Sequence, residues 1–84
     1  MLTDTAIRQL KPAASLYRRS DRDGLYIEVT PKGTKHWRFR YCRGGKATMI
    51  SLGPYPVVTL AEARTRGLEA RRLLANDQDP AQVK

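Results

Sequence analysis

LYIEVTPKGTKHWRFRYCRGGKATMISL, residues 25–52, decides the fold. Apolar and polar side chains alternate in three runs, Leu25–Thr30, Lys35–Cys42 and Ala47–Leu52, and residues two apart in a strand share a face. In the first run Leu25, Ile27 and Val29 fall on one side, with Tyr26, Glu28 and Thr30 on the other. In the second, Trp37, Phe39 and Tyr41 oppose Arg38 and Arg40, and in the third Ile50 and Leu52 oppose Met49 and Ser51. Pro31-Lys32-Gly33-Thr34 and Arg43-Gly44-Gly45-Lys46 are of hairpin length and supply the glycine that tight turns need. The expectation is a three-stranded antiparallel meander with one apolar and one cationic face.

A sheet with one apolar face needs a cover, and the chain supplies it after the turn Gly53-Pro54-Tyr55-Pro56. Thr59-Leu60-Ala61-Glu62 fits a capping box, and Leu60, Ala63, Gly67, Ala70 and Leu74 then recur at spacings of three and four. Gly67 costs about 1 kcal/mol of helix propensity relative to alanine, so its place in the stripe suggests close packing on a ring such as Trp37. Asn76-Asp77-Gln78-Asp79-Pro80 stops this C-terminal helix. At the other end, Thr3 is an N-cap for a short helix carrying Ala6, Ile7 and Leu10, and Pro12 ends it. A brief extended piece is expected at Leu16–Arg19, followed by an Asp/Gly turn closing at Gly24. The fold class is therefore α+β: a three-stranded antiparallel sheet on a C-terminal helix, with a short N-terminal helix. Residues 1–80 form one domain, and 81–84 read as the start of a linker.

The 84 residues carry a formal charge of +8, unevenly placed: from Val29 to Ala61 there are Lys and Arg but no Asp or Glu. Such a field selects polyanions as partners. Cys42 is the single cysteine, so no intramolecular disulfide or cysteine metal set is possible. No apolar run approaches the roughly 20 residues that span a bilayer, and residues 1–10 are polar rather than signal-like, so a cytoplasmic protein without membrane contact is expected.

Enzyme chemistry finds little support. The lone His36 has no serine or carboxylate partner at a telling spacing and is better placed on the polar sheet face. Asp21 and Asp23 fit a turn in which carboxylates bond backbone N–H groups, and Gly44-Gly45-Lys46 is too short for a phosphate loop. No catalytic residue, metal ligand or cofactor is assigned. Nucleic acid is a better match, because a two-stranded ribbon or sheet face enters the major groove of B-DNA and projects alternate side chains onto base edges. Tyr26, His36, Arg38, Arg40, Met49 and Ser51 lie on that face. Arginine pairs bidentately with guanine, so Arg38 and Arg40 are the expected base contacts; Lys32, Lys35, Arg43 and Lys46, near hairpin ends, suit phosphates. A charge run is by default a solvated surface, but such a surface normally intersperses acids, and this one does not. Trp37, Phe39 and Tyr41 are needed under the helix and are read as core rather than base-stacking platforms. RNA fits poorly, since the A-form major groove is too deep and narrow for a sheet.

Three strings, LTDTAIRQLKP (residues 2–12), DGLYIEVTPKGTKHWRFRYCRGGK (23–46) and ISLGPYPVVTLAEAR (50–64), in this order and spacing resemble the N-terminal arm-binding domain of phage and prophage tyrosine integrases, the site-specific recombinases of mobile elements. The resemblance implies a three-stranded sheet backed by a C-terminal helix, with the exposed face inserted into the major groove of arm-type sites. Full-length members continue into core-binding and catalytic domains whose arginine, histidine and tyrosine residues perform strand transfer. No such segment follows here, so Tyr17, Tyr26, Tyr41 and Tyr55 are not nucleophiles, and the chain reads as an excised, non-catalytic domain. Ala47 stands where many relatives carry a basic residue, which reduces the contacts expected from the third strand. The implied partners are double-stranded DNA and, in a full-length protein, other integrase protomers or accessory factors. A rival reading from another class is a protein interaction module using Arg64, Arg66, Arg71 and Arg72 of the helix.

Overall fold

A computed structural model describes residues 2–81, so the expected linker lies, beyond Ala81, outside the described residues. The order is α1 (Asp4–Gln9), β1 (Tyr17–Ser20), β2 (Leu25–Val29), β3 (Lys35–Arg43), β4 (Lys46–Tyr55) and α2 (Leu60–Ala75). The sheet has four strands, not three, in the order β1-β2-β3-β4, each antiparallel to its neighbour. The added strand is Tyr17–Ser20, next to β2 with Arg18 opposite Glu28 and Ser20 opposite Tyr26. Its sequence, Tyr-Arg-Arg-Ser, has no apolar alternation because it buries almost nothing; as an edge strand it is held by its ladder to β2.

β3 and β4 meet at Gly44-Gly45, both with positive φ (59° and 80°), as a two-residue hairpin turn demands. β4 runs three residues past its expected end at Leu52, through the segment read as a turn. A bulge explains the extension: Arg38 faces Ser51 but Trp37 faces Gly53, so Leu52 is an extra residue. Leu52 is buried, and Gly53, at φ +121°, brings the backbone so near Val58 that a Cβ there would lie 2.5 Å from its Cγ2.

The core lies between the apolar sheet face and the two helices. Ile7, Leu25, Ile27, Trp37, Phe39 and Tyr41 pack with Leu52, Val58, Leu60, Ala63 and Ala70. Trp37 is fully buried, donates its indole N–H to the Val58 carbonyl at 2.7 Å, and meets the Tyr55 ring edge-on. Thr59 caps α2, its hydroxyl accepting from the Glu62 N–H at 3.2 Å. The glutamate half of the expected box is replaced by a contact of 3.4 Å between the Glu62 carboxylate and the Thr59 hydroxyl. The buried stripe of α2 is Leu60, Ala63, Gly67 and Ala70, as its spacing requires. The ring over Gly67 is that of Phe39, not Trp37, and a Cβ on Gly67 would sit 3.9 Å from it, an ordinary contact rather than a forced one.

α1 is tied down by polar contacts as well. Thr3 caps it, the hydroxyl accepting from the Ala6 N–H at 3.1 Å. Asp21 does more than close its turn: its buried carboxylate accepts from the Leu2 N–H at 2.9 Å and from the Arg64 guanidinium through two bonds of 3.0 Å. Arg64 also donates to the Leu2 carbonyl at 3.0 Å, so one carboxylate and one guanidinium join the N-terminal segment, the β1–β2 turn and α2. Burial by itself pushes the Asp21 carboxyl up; the Arg64 hydrogen bonds, the Leu2 amide and the charges of Arg64 and Arg22 outweigh it and hold the group below its ordinary value.

Candidate nucleic-acid interface

Strand pairing brings the polar residues into rows across the face opposite the helices. Arg18, Glu28 and His36 form one row, Ser20, Tyr26, Arg38 and Ser51 the next, then Arg40 and Met49, then Cys42 and Ala47. Of the ten residues singled out in the sequence, Tyr26, His36, Arg38, Arg40, Met49 and Ser51 share this face. β1 adds Arg18 and Ser20, which the sequence reading had not assigned to the site.

The two central arginines differ. Arg40 is exposed, and its side chain makes no hydrogen bond or ion pair among the described residues. Its backbone is anchored, the N–H donating to the Gly24 carbonyl at 2.8 Å. Arg38 is half-buried, and its Nε donates to Glu28 Oε2 at 3.1 Å. Glu28, only 4% exposed, also receives Arg18, through Nε at 3.1 Å and Nη2 at 2.9 Å on Oε1. A carboxylate buried to this degree is costly unless paired, and two guanidiniums pair it.

The hairpin-end cations are distributed otherwise. Lys32 lies exposed in the β2–β3 turn and Lys46 beside the β3–β4 turn, neither with a partner among the described residues. Lys35 is on the helix-facing side of β3, its ammonium donating to the Ile7 carbonyl at 2.8 Å near the end of α1 and lying 5.9 Å from the Tyr55 ring centroid. Arg43, on the same side, donates to the Asp77 carbonyl at 3.1 Å and pairs with Asp79 at 3.9 Å. Asp79 in turn accepts a hydrogen bond from the Tyr41 hydroxyl, which lowers the carboxyl's pKa and raises the phenol's.

α2 presents its arginines less freely than its sequence suggests. Arg64 is engaged with Asp21, Arg66 donates to the Leu52 carbonyl at 2.8 Å, and Arg71 pairs with Asp23 at 3.2 Å. Arg72 alone of the four has no partner among the described residues. No group of three or more metal-ligating side chains occurs among those residues, and no helix there is long and apolar enough to cross a membrane.

Comparison with known proteins places the chain in a family. The chain is 50% identical over 60 residues to the Putative protein IntB of Escherichia coli K12, covering 71% of this chain and 15% of that protein. It is 40% identical over 83 residues to the Prophage integrase IntZ of the same strain, covering 96% of this chain and 21% of the relative. It is 39% identical over its whole length to the Integrase of Shigella phage Sf6, matching 22% of that protein. The chain thus spans about a fifth or less of the length of these curated relatives. A sequence profile described as Arm DNA-binding domain matches residues 2–84, and the chain belongs to the Arm DNA-binding domain family.

Proposed function

We propose that this domain binds double-stranded DNA at arm-type sites by laying the polar face of its sheet into the major groove, and so supports DNA integration and site-specific recombination by a longer integrase. The observation that carries the reading is Arg40: an exposed guanidinium, unpaired among the described residues and rooted on a rigid strand beside Tyr26, Arg38, Met49 and Ser51. Arginine on such a strand suits the O6/N7 edge of guanine, serine serves either as donor or acceptor, and methionine suits a thymine methyl. Lys32 and Lys46 flank the face at its hairpin turns and fit phosphates. Lys35 and Arg43 stand at the rim with partners of their own, so their share in phosphate binding is smaller. Two of the three relatives carry the name integrase, which supports a role in recombination.

A protein interaction module built on α2 is less favoured, since three of its four arginines are held inside the domain. Amide chemical-shift perturbation by a duplex distinguishes the two. Shifts are expected at residues 26, 38, 40, 49 and 51; shifts confined to α2 would reject the sheet-face reading.

A further inference from the structure

Glu28 is an acid in the middle of a cationic surface, yet it is almost wholly buried and its two oxygens are already bonded. So little of its side chain is exposed that it is poorly placed to accept from a cytosine amine, the contact a groove-facing glutamate would otherwise make. What it touches are guanidiniums from both flanking strands, Arg18 on β1 and Arg38 on β3. Arg38 is held through Nε, while its two terminal nitrogens have no partner among the described residues. Those nitrogens are a fork able to grip the O6/N7 edge of guanine. A free arginine must give up much of its rotamer freedom on docking, and Arg38 has surrendered part of it before any ligand arrives.

We propose that Glu28 is a positioning residue that sets the domain's discrimination between DNA sequences, by fixing Arg38, and with it Arg18, on the groove-facing surface. The inference rests on the sheet-face reading above. Its second consequence is electrostatic: the buried negative charge subtracts from the attraction to every duplex alike, so Glu28 weakens indiscriminate binding while sharpening selective binding.

The test compares this chain with Glu28→Gln, Arg38→Ala, Arg40→Ala and the double variant of Glu28→Gln with Arg38→Ala. The probes are the best-bound duplex of about 20 base pairs that the unmodified chain enriches from a random-sequence pool, and a scrambled duplex of the same composition. Glu28→Gln is expected to lower the ratio of the two affinities by about fivefold or more, with scrambled-duplex binding unchanged or tighter. In the Arg38→Ala background the same change should move the ratio less than about twofold, because the group being positioned is gone. Equal losses on both duplexes would mean a purely structural role, and equal gains a purely electrostatic one; either overturns the proposal. If Arg38→Ala and Arg40→Ala both leave the ratio untouched, the sheet-face reading itself fails. Positioning is also read without DNA: the Arg38 Nε–Hε resonance should be protected from solvent exchange and lose that protection in Glu28→Gln. An exchange rate that does not change would overturn the proposal whatever the duplexes show.

Discussion

Arg40 and Gly24 interlock at the backbone: the Arg40 N–H reaches the Gly24 carbonyl, and a Cβ on Gly24 would stand 2.5 Å from the Arg40 carbonyl oxygen. The root of the side chain is thereby fixed while its tip is free, a combination suited to reading a base edge. Arg40→Ala is expected to cost about 1 to 3 kcal/mol on a preferred duplex and to relax specificity, measured by titration against preferred and scrambled duplexes. Equal losses on both would reject a base contact. Asp21 contributes to acid stability instead. Its pKa is depressed in the folded chain, so its contribution is fully present above the unfolded carboxylate's pKa and disappears as pH falls through the lower, folded value. Urea unfolding should show stability falling as pH drops below about 4, and Asp21→Asn should be less stable at pH 7 by about 3 kcal/mol with a flatter acid limb. An unchanged acid limb would assign the sensitivity elsewhere. Asp21 could be read in the sequence only as a turn residue, because its true partners, Leu2 and Arg64, are distant along the chain and converge only through the fold.

Helices and strands were legible wherever one residue type repeats at the period of its element. Alternation from Leu25 to Leu52 marks β2, β3 and most of β4 with the correct faces, and the 3–4 spacing from Leu60 to Leu74 marks α2. Tyr17–Ser20 carries no such period, since an edge strand that buries only part of one tyrosine has nothing to alternate. The extended piece expected at Leu16–Arg19 overlaps this strand, but its pairing with β2, and with it the Arg18 contribution to the polar face, was not legible. Gly67 was misread for a different reason. Glycine at a buried helical site signals tight contact only if a methyl would collide, and here one would meet the Phe39 ring at 3.9 Å. Gly67→Ala should therefore stabilise the domain by about 0.5 to 1 kcal/mol, raising its melting temperature. A lower melting temperature would show that α2 must sit closer to the sheet than this contact implies. Gly53→Ala is expected to do the opposite, destabilising by more than about 1 kcal/mol, because the added methyl meets Val58 and the residue keeps a positive φ.

Across the whole molecule the formal charge of +8 is sorted by internal pairing rather than by sequence position. Arg64 and Arg71 are matched with acids on the helix side, Arg43 with Asp77 and Asp79 beyond α2, and Arg38 with Glu28, while Arg40, Lys32 and Lys46 are left without partners among the described residues. Linear runs of Lys and Arg carry no record of which cations find acids after folding, so this sorting could not be read in advance. If about five phosphates are neutralised on binding, the logarithm of affinity against the logarithm of salt concentration should fall with a slope of roughly −4 to −5. A shallower slope, near −2 to −3, would mean that the internally paired cations stay out of the DNA contact; a flat line would refute the electrostatic account.

The bulge at Leu52 makes β4 a strand that changes its spatial reading frame midway. Before it, Met49 and Ser51 point outward; after it, Pro54 takes the outward place opposite His36 and Tyr55 the inward one opposite Lys35. Were Leu52 paired regularly with Trp37, Gly53 would face His36 and Pro54 would face Lys35, and Tyr55 would leave the inward side, stripping Trp37 of its edge-on ring. The one extra residue is a frameshift written in three dimensions.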